Sequence, residues 1–154
     1  MIIGVISDTH GLLRPQAMDA LRGSQHIIHA GDIGAADIIP ALQEIAPVTA
    51  IRGNVDKEAW TRNFPETNVA ELAGLHIYVI HSVQALDLNP QAAGFAVVIS
   101  GHSHQPSQHV KDGVLYFNPG SAGPRRFKLP ISVGRLEIVN GKLTSQIIEL
   151  AIGQ

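Results

Sequence analysis

The chain has 154 residues, 45% of them hydrophobic and 16% charged, with a formal charge of −2. That length and apolar content suit one globular domain over residues 1–154 with a proper core, and the missing basic field argues against general nucleic-acid binding. With no cysteine, disulfides and thiolate metal sites are excluded, so any metal site must draw on His, Asp, Glu and Asn.

The first half alternates strand and helix. The run MIIGVIS predicts a strand over 1–7, and Pro15 opens a helix to about Arg22, closed by Gly23, because proline suits the first helical turn. A strand near 26–30, a helix near 35–45 and a strand near 48–52 follow. This alternation implies right-handed crossovers and a parallel sheet. Residues 57–67, with Trp60 and Phe64, read as a short helix and loop. Strands near 69–72 and 75–80 flank a hairpin turn at Gly74. A short helix interrupted by Pro90 is expected over 84–93, then a strand at 95–100. The last third reads as all-β, with strands near 107–111, 114–118, 131–139 and 142–150. Asp112-Gly113 and Asn140-Gly141 supply two-residue hairpin turns, and the terminal Gly153-Gln154 is expected to fray. The first apolar run lacks a basic leader and is too short for a signal sequence. No segment approaches the ~20 apolar residues of a membrane span. A cytoplasmic protein is expected.

Five of the apolar runs stop at residues able to bind metal: Asp8 with His10, Asp32, Asn54, His81, and His102 with His104. Ligands in open α/β sheets gather outside the carboxyl ends of such strands. Each block alone has an ordinary explanation. Asp8-Thr9 could cap a helix, Gly31-Asp32 could be a βα loop, Gly53-Asn54 a turn, and His81 a satisfied core histidine. In extended backbone, residues i and i+2 point the same way, so Asp8 and His10 can grip one ion while Thr9 turns away. The same spacing in His102-Ser103-His104 serves one ion or two neighbours. Asp56 reads as a residue behind the ligands, orienting a histidine or a water, and Arg52 as facing phosphate or a carboxylate. His26, His29, His76 and His109 fall within or at the starts of strands and are assigned to structure or surface. Seven donors along one sheet edge exceed the needs of one ion and suit two ions sharing a carboxylate.

The blocks DTH, GD, GNVD, IHS and GHSH, followed by NPGSAGPR, resemble the calcineurin-like metallophosphoesterase superfamily, and within it the small phosphodiesterase branch of bacteria and archaea. The likeness runs from Met1 to about Leu150. It implies an α/β fold, a four-layer αββα sandwich of two mixed sheets packed face to face. It implies one metal held by Asp8, His10, Asp32 and His104 and a second by Asp32, Asn54, His81 and His102, with Asp32 as the bridge. It further implies two divalent transition-metal ions, Mn²⁺ foremost, with Fe²⁺, Ni²⁺, Co²⁺ and Zn²⁺ also suited. The reaction implied is phosphodiester hydrolysis by attack of a metal-bridging hydroxide on a small phosphoester. A short chain without a cap domain leaves the metals in an open groove, which favours extended or nucleotide-like diesters. Asn118-Pro119-Gly120-Ser121 matches a turn of the family read as architectural, and Arg125 and Arg126 follow it as surface arginines within reach of a phosphate. Two positions depart from the pattern. Val55 stands where many superfamily phosphatases carry a leaving-group histidine, as is common in the small branch. Ser82-Val83 replace the Gly-His that usually follows the ligand His81, which makes slow turnover or an unusual substrate an expectation. The rival reading is a protein-binding scaffold resembling the retromer subunit of the superfamily, whose ligand pattern is incomplete where this one is whole. A metallo-β-lactamase-like site is rejected, because Gln105 and Pro106 follow His104 in place of x-Asp-His. A homo-oligomer is compatible with the low charge and the exposed sheet edges.

Overall fold

The computed structural model describes residues 1–152; the expected fraying of Gly153-Gln154 lies outside the described residues. Among the described residues, ten strands form two five-stranded mixed sheets. The first sheet contains β1 (Ile2–Ile6), β2 (His26–His29), β3 (Val48–Ala50), β9 (Ser132–Val139) and β10 (Lys142–Glu149) in the order β10-β9-β1-β2-β3. Strands β1, β2 and β3 run parallel, and β9 joins β1 antiparallel. The second contains β4 (Thr67–Leu72), β5 (Leu75–Ile80), β6 (Phe95–Ile99), β7 (Ser107–Lys111) and β8 (Val114–Asn118) in the order β4-β5-β6-β8-β7. There β5, β6 and β8 are parallel, and the two edge strands are antiparallel to their neighbours.

The apolar runs become strands buried on both faces, as in parallel sheets generally. Ile3, Val5 and Ile28 of the first sheet, with Ile51 just after β3, meet Ile77, Val79, Val97, Ile99 and Phe117 of the second in the main core. The other face of the first sheet packs Ile6, Ile27 and Val133 against α1 (Pro15–Leu21) and α2 (Ile38–Gln43) through Ala17, Leu21, Ile39 and Leu42. The outer face of the second sheet buries Tyr78, Ile80 and Val98 under Leu86, Leu88 and Phe95. Three apolar seams therefore separate four layers, the α/β sandwich expected.

The layer over the second sheet is thin. Instead of a helix over 84–93 there is one 3-10 turn, Val83–Ala85, followed by irregular backbone. Proline disfavours helix in the residue before it. Asn89 instead makes a turn, its Oδ1 accepting from the Ala92 amide at 3.1 Å. Helix α2 is likewise shorter than the expected 35–45. Pro40 lacks an amide proton and fits only the first helical turn, so the helix starts at Ile38. Pro15 opens α1 as expected. Residues 57–67 hold a 3-10 turn, Ala59–Asn63, with Trp60 edge-on to Phe64. All three hairpin turns, Ala73-Gly74, Asp112-Gly113 and Asn140-Gly141, have positive φ at both central residues, the conformation that matches strand twist.

Candidate metal centre

Past its last strand residue, β1 keeps pairing with the chain beyond β2. The Asp8 amide donates to the Gly31 carbonyl at 3.0 Å and the His10 amide to the Asp32 carbonyl at 2.9 Å. From the second sheet, the Gly101 amide donates to the His81 carbonyl at 2.9 Å. The loops after β1, β2, β5 and β6 thus meet where the parallel strands of both sheets end.

Two clusters of possible metal ligands lie there, Asp8 with His10 and His104, and Asp32 with His81 and His102; within each, the ligand atoms are all within 4.8 Å of one another. Asp8 Oδ1 stands 3.8 Å from His10 Nε2, 3.8 Å from His81 Nε2 and 3.5 Å from His104 Nε2. Asp32 Oδ2 stands 3.6 Å from His10 Nε2 and 3.1 Å from His81 Nε2. Each carboxylate therefore has one oxygen facing histidines of both clusters. Asn54 is exposed and shares a cavity of about 350 Å³ with His81 and His102. Six of the seven residues singled out in the sequence come together in the two clusters, and the seventh stands at their edge.

The route differs from the one expected. Asp8, His10, Asp32, His102 and His104 all have positive φ, between 47° and 71°. Side-chain convergence here comes from left-handed backbone, which Asp and His tolerate better than most residues, and not from the alternation of an extended strand. Asp8 and His10 fall in one cluster, whereas His102 and His104 fall in different ones.

Glycines create the room. At Gly31, with φ +100°, a Cβ would stand 2.7 Å from His81 Nδ1. The free oxygens are defined by what binds the others. Asp8 Oδ2 accepts from the Ser7 hydroxyl at 2.7 Å and the His102 amide at 3.1 Å, while Asp32 Oδ1 accepts from the Val55 amide at 3.1 Å. His81 Nδ1 lies 2.7 Å from the Ala30 carbonyl, so Nδ1 carries a proton and Nε2 is the nitrogen left for a metal between it and the carboxylates. Among the described residues, Asp8 Oδ1, His10 Nε2, His81 Nε2 and both His104 ring nitrogens are buried without a hydrogen-bond partner. Such orphans need a reason. A cation held among them supplies one, so the donor set fits divalent metal.

Electrostatics follows burial and neighbours. Burial raises the Asp8 carboxyl above its usual value, although the Ser7 hydroxyl works against it. Asp32 is also pushed up by burial, yet His81 and the Val55 amide outweigh that and bring it down to about 2. Burial lowers His81, but Asp32 and the Ala30 carbonyl more than offset it and hold it above its usual value. Burial and then the Arg126 cation bring His104 down to about 4. At neutral pH this leaves Asp32 anionic and His104 uncharged, the forms that bind metal.

Other expectations change. Asp56 orients no histidine; its carboxylate accepts from the amides of Ile33, Gly34 and Gly53 at 3.0, 3.0 and 2.8 Å, tying the Asp32 loop to the Asn54 loop. Arg52 pairs with the Glu66 carboxylate at 3.3 Å, one of the two roles expected of it. The Asn118 amide donates to the Gly101 carbonyl at 3.0 Å and to Ser103 Oγ at 3.2 Å, in keeping with an architectural turn. Sequence reasoning missed Ser7, although it is the polar residue that ends the first apolar run. His29 is structural as expected, but its partners could not be foreseen. Its Nδ1 accepts from the Gly31 amide at 3.1 Å, and Nε2 faces the Thr9 hydroxyl at 3.0 Å.

A calcineurin-like phosphoesterase superfamily domain matches residues 1–141. The chain belongs to that superfamily. A probable metallophosphoesterase of Methanothermobacter thermautotrophicus is 36% identical over 160 residues, covering 96% of this chain and 92% of the relative. Phosphodiesterase YfcE of Escherichia coli K12 is 27% identical, covering 85% and 84%. The crystal structure of Chaetomium thermophilum Vps29 superposes with a TM-score of 0.77 at 17% identity, covering 97% of each chain, a likeness of fold alone. As a superfamily member the protein is a metal-dependent hydrolase of phosphoric esters. No helix among the described residues is long and apolar enough to cross a membrane.

Proposed function

We propose that the protein is a two-metal phosphodiesterase acting on small, nucleotide-like diesters. In this reading Asp8, His10, Asp32 and His104 hold one divalent ion, and Asp32, Asn54, His81 and His102 the other. The observation that carries it is the set of unpaired buried atoms, Asp8 Oδ1, His10 Nε2, His81 Nε2 and His104 Nε2, gathered around one point. Asp32 is the shared ligand in this reading, as the superfamily pattern implies, and its Oδ2 lies 3.6 Å from His10 Nε2 and 3.1 Å from His81 Nε2. Bound ions supply Lewis acidity toward phosphoryl oxygens and a water nucleophile at neutral pH. Imidazole and carboxylate together admit Mn²⁺, Fe²⁺, Ni²⁺, Co²⁺ and Zn²⁺, and the family resemblance, not the ligand chemistry, puts Mn²⁺ first.

The chain's own residues do the positioning. Ala30 fixes the His81 tautomer, Ser7 and the His102 amide aim Asp8, and the Val55 amide aims Asp32. His102 is exposed and leaves one side of the centre open for a phosphoryl group. Ser82 and Val83 put no titratable group after His81, so protonation of the leaving oxygen falls to water or to a neighbouring histidine. The cysteine-free composition fits a cytoplasmic setting.

The test is hydrolysis of bis(p-nitrophenyl) phosphate by metal-stripped protein reloaded with Mn²⁺, beside p-nitrophenyl phosphate, with metal content measured in parallel. Two ions per chain, Mn²⁺-dependent diester cleavage and loss of both second ion and cleavage in Asp32→Ala are expected. Two ions without turnover would replace this reading with a protein-binding scaffold. Retention of both ions in Asp32→Ala would overturn the bridge.

A further inference from the structure

Beside His102, a cavity of about 290 Å³ opens between the carboxyl ends of β5, β6 and β8 and the start of β7. It is at the small end of ligand pockets. Phe117, 1% exposed, belongs to its lining. One wall is the His109–Tyr116 pair, stacked with ring centroids 5.2 Å apart and planes at 3°. Ser82, Val83 and the exposed Gln84 and Ser107 also line it, with the loop after β6 and Asn118, offering side-chain amides and hydroxyls. Lys, Arg, Asp and Glu are absent from its lining residues. The charge near the centre lies elsewhere: Arg126 acts on His104, and neither residue lines this cavity.

We infer that this cavity is the subsite for the ester group that stays on phosphorus when that group carries an uncharged planar ring, either an aryl ring joined through the ester oxygen or a nucleobase reached through its sugar. The inference rests on the phosphodiesterase reading and narrows it. A monoester dianion or a polyphosphate tail finds no counter-charge among these walls. A flat neutral ring meets aromatic faces and hydrogen-bonding groups, the combination that orients small ligands in apolar pockets. His102 belongs both to the cavity wall and to the Asp32–His81 cluster, so a group in the cavity sits next to a phosphoryl group at the centre. His109, which the sequence assigns to surface, becomes part of the specificity surface.

The experiment compares p-nitrophenyl phosphodiesters whose second group is methyl, phenyl or thymidin-5′-yl, using Mn²⁺-loaded wild type, Ser107→Trp and His109→Ala. Wild type should favour phenyl and thymidinyl over methyl by about tenfold in kcat/KM, chiefly through KM. Ser107→Trp, on an exposed edge strand, should fill the cavity and erase that preference while the methyl ester keeps its rate. His109→Ala should raise KM for the ring-bearing esters and leave kcat alone. A second readout needs no turnover. Thymidine titrated into metal-free protein should shift the backbone amide NMR signals of Ser107, His109 and Tyr116, and not in Ser107→Trp. An unchanged ester preference in Ser107→Trp, or thymidine shifts confined to residues 125–128, would overturn the subsite. Absence of metal-dependent cleavage of every ester, with the thymidine shifts intact, would instead overturn the phosphodiesterase reading, and with it the substrate role, and leave only a ring-binding cavity.

Discussion

Gly101 lies against Ser7 so closely that a Cβ on it would collide with the Ser7 hydroxyl and stand 2.6 Å from Asp8 Oδ2. This is where the two sheets touch beside the metal centre, and the Ser7 hydroxyl holds Asp8 there. Gly101→Ala should cost about 1–3 kcal/mol by overpacking and weaken metal binding through a displaced Asp8. Urea denaturation and metal titration check both. Wild-type metal affinity in the variant would mean that the Ser7–Asp8 contact does not set the ligand geometry.

Asp56 joins two ligand loops through three backbone amides. Asp56→Ala strands those donors beneath the Asp32 and Asn54 loops. Hydrogen bonds to a charged acceptor are worth about 1.5–3 kcal/mol each, so the variant should lose about 3 kcal/mol or more of stability. Part of the loss should appear as weaker retention of the second metal ion, measured by dialysis against chelator.

His29 gives the stability a pH dependence. Burial, with help from His81, holds this imidazole down to about 3. Its Nδ1 accepts from the Gly31 amide, so protonation would also break that bond. The unfolded chain takes the proton near its ordinary value of about 6.5. Below that pH the unfolded state binds more protons, and stability falls as pH drops from 6.5 toward 3, by about 2 kcal/mol at pH 5. Metal-free wild type should therefore lose more melting temperature between pH 7 and pH 5 than His29→Gln, by roughly 4–8 °C. Equal losses would remove His29 as the source.

Metal should stabilise the fold, because the ligands come from both sheets. At a hundred times the dissociation constant, ligand binding to the native state alone contributes about 2.7 kcal/mol. For a chain of this length that is a rise of roughly 5–11 °C in Tm. Chelator should reverse it, and His102→Ala should reduce it. A Tm unmoved by Mn²⁺ would mean that the ions are bound equally well by the unfolded chain or not at all.

Much of this architecture could be read from local pattern. Apolar runs, Asp-Gly and Asn-Gly turns and the initiating Pro15 are one-dimensional signals, and the strands and hairpins fell near their expected places. Proline was under-weighted: Pro40 trims α2, and Pro90 removes the helix expected over 84–93. The meeting of Asp8, His10, Asp32, His81, His102 and His104 was legible because each lies within a few residues after the end of an apolar strand. Their support was not. Ser7 to Asp8 is local, but Thr9 to His29 and Asp56 to Ile33 join residues 20 and 23 positions apart. No periodicity records such pairs. The cavity at His109 was invisible for the same reason, since an exposed edge strand gives no sign of what its first residues border.

The left-handed backbone at five of the clustered residues also limits how this sequence can drift. Val, Ile or Thr at positions 8, 10, 32, 102 or 104 would meet a steric penalty before any ligand chemistry was lost. Asn and Gly are the cheap exits. A descendant that abandons metal should therefore carry Asn or Gly at these positions, with its loops still in place, and so pass through an intact fold that has lost its ions but not its shape.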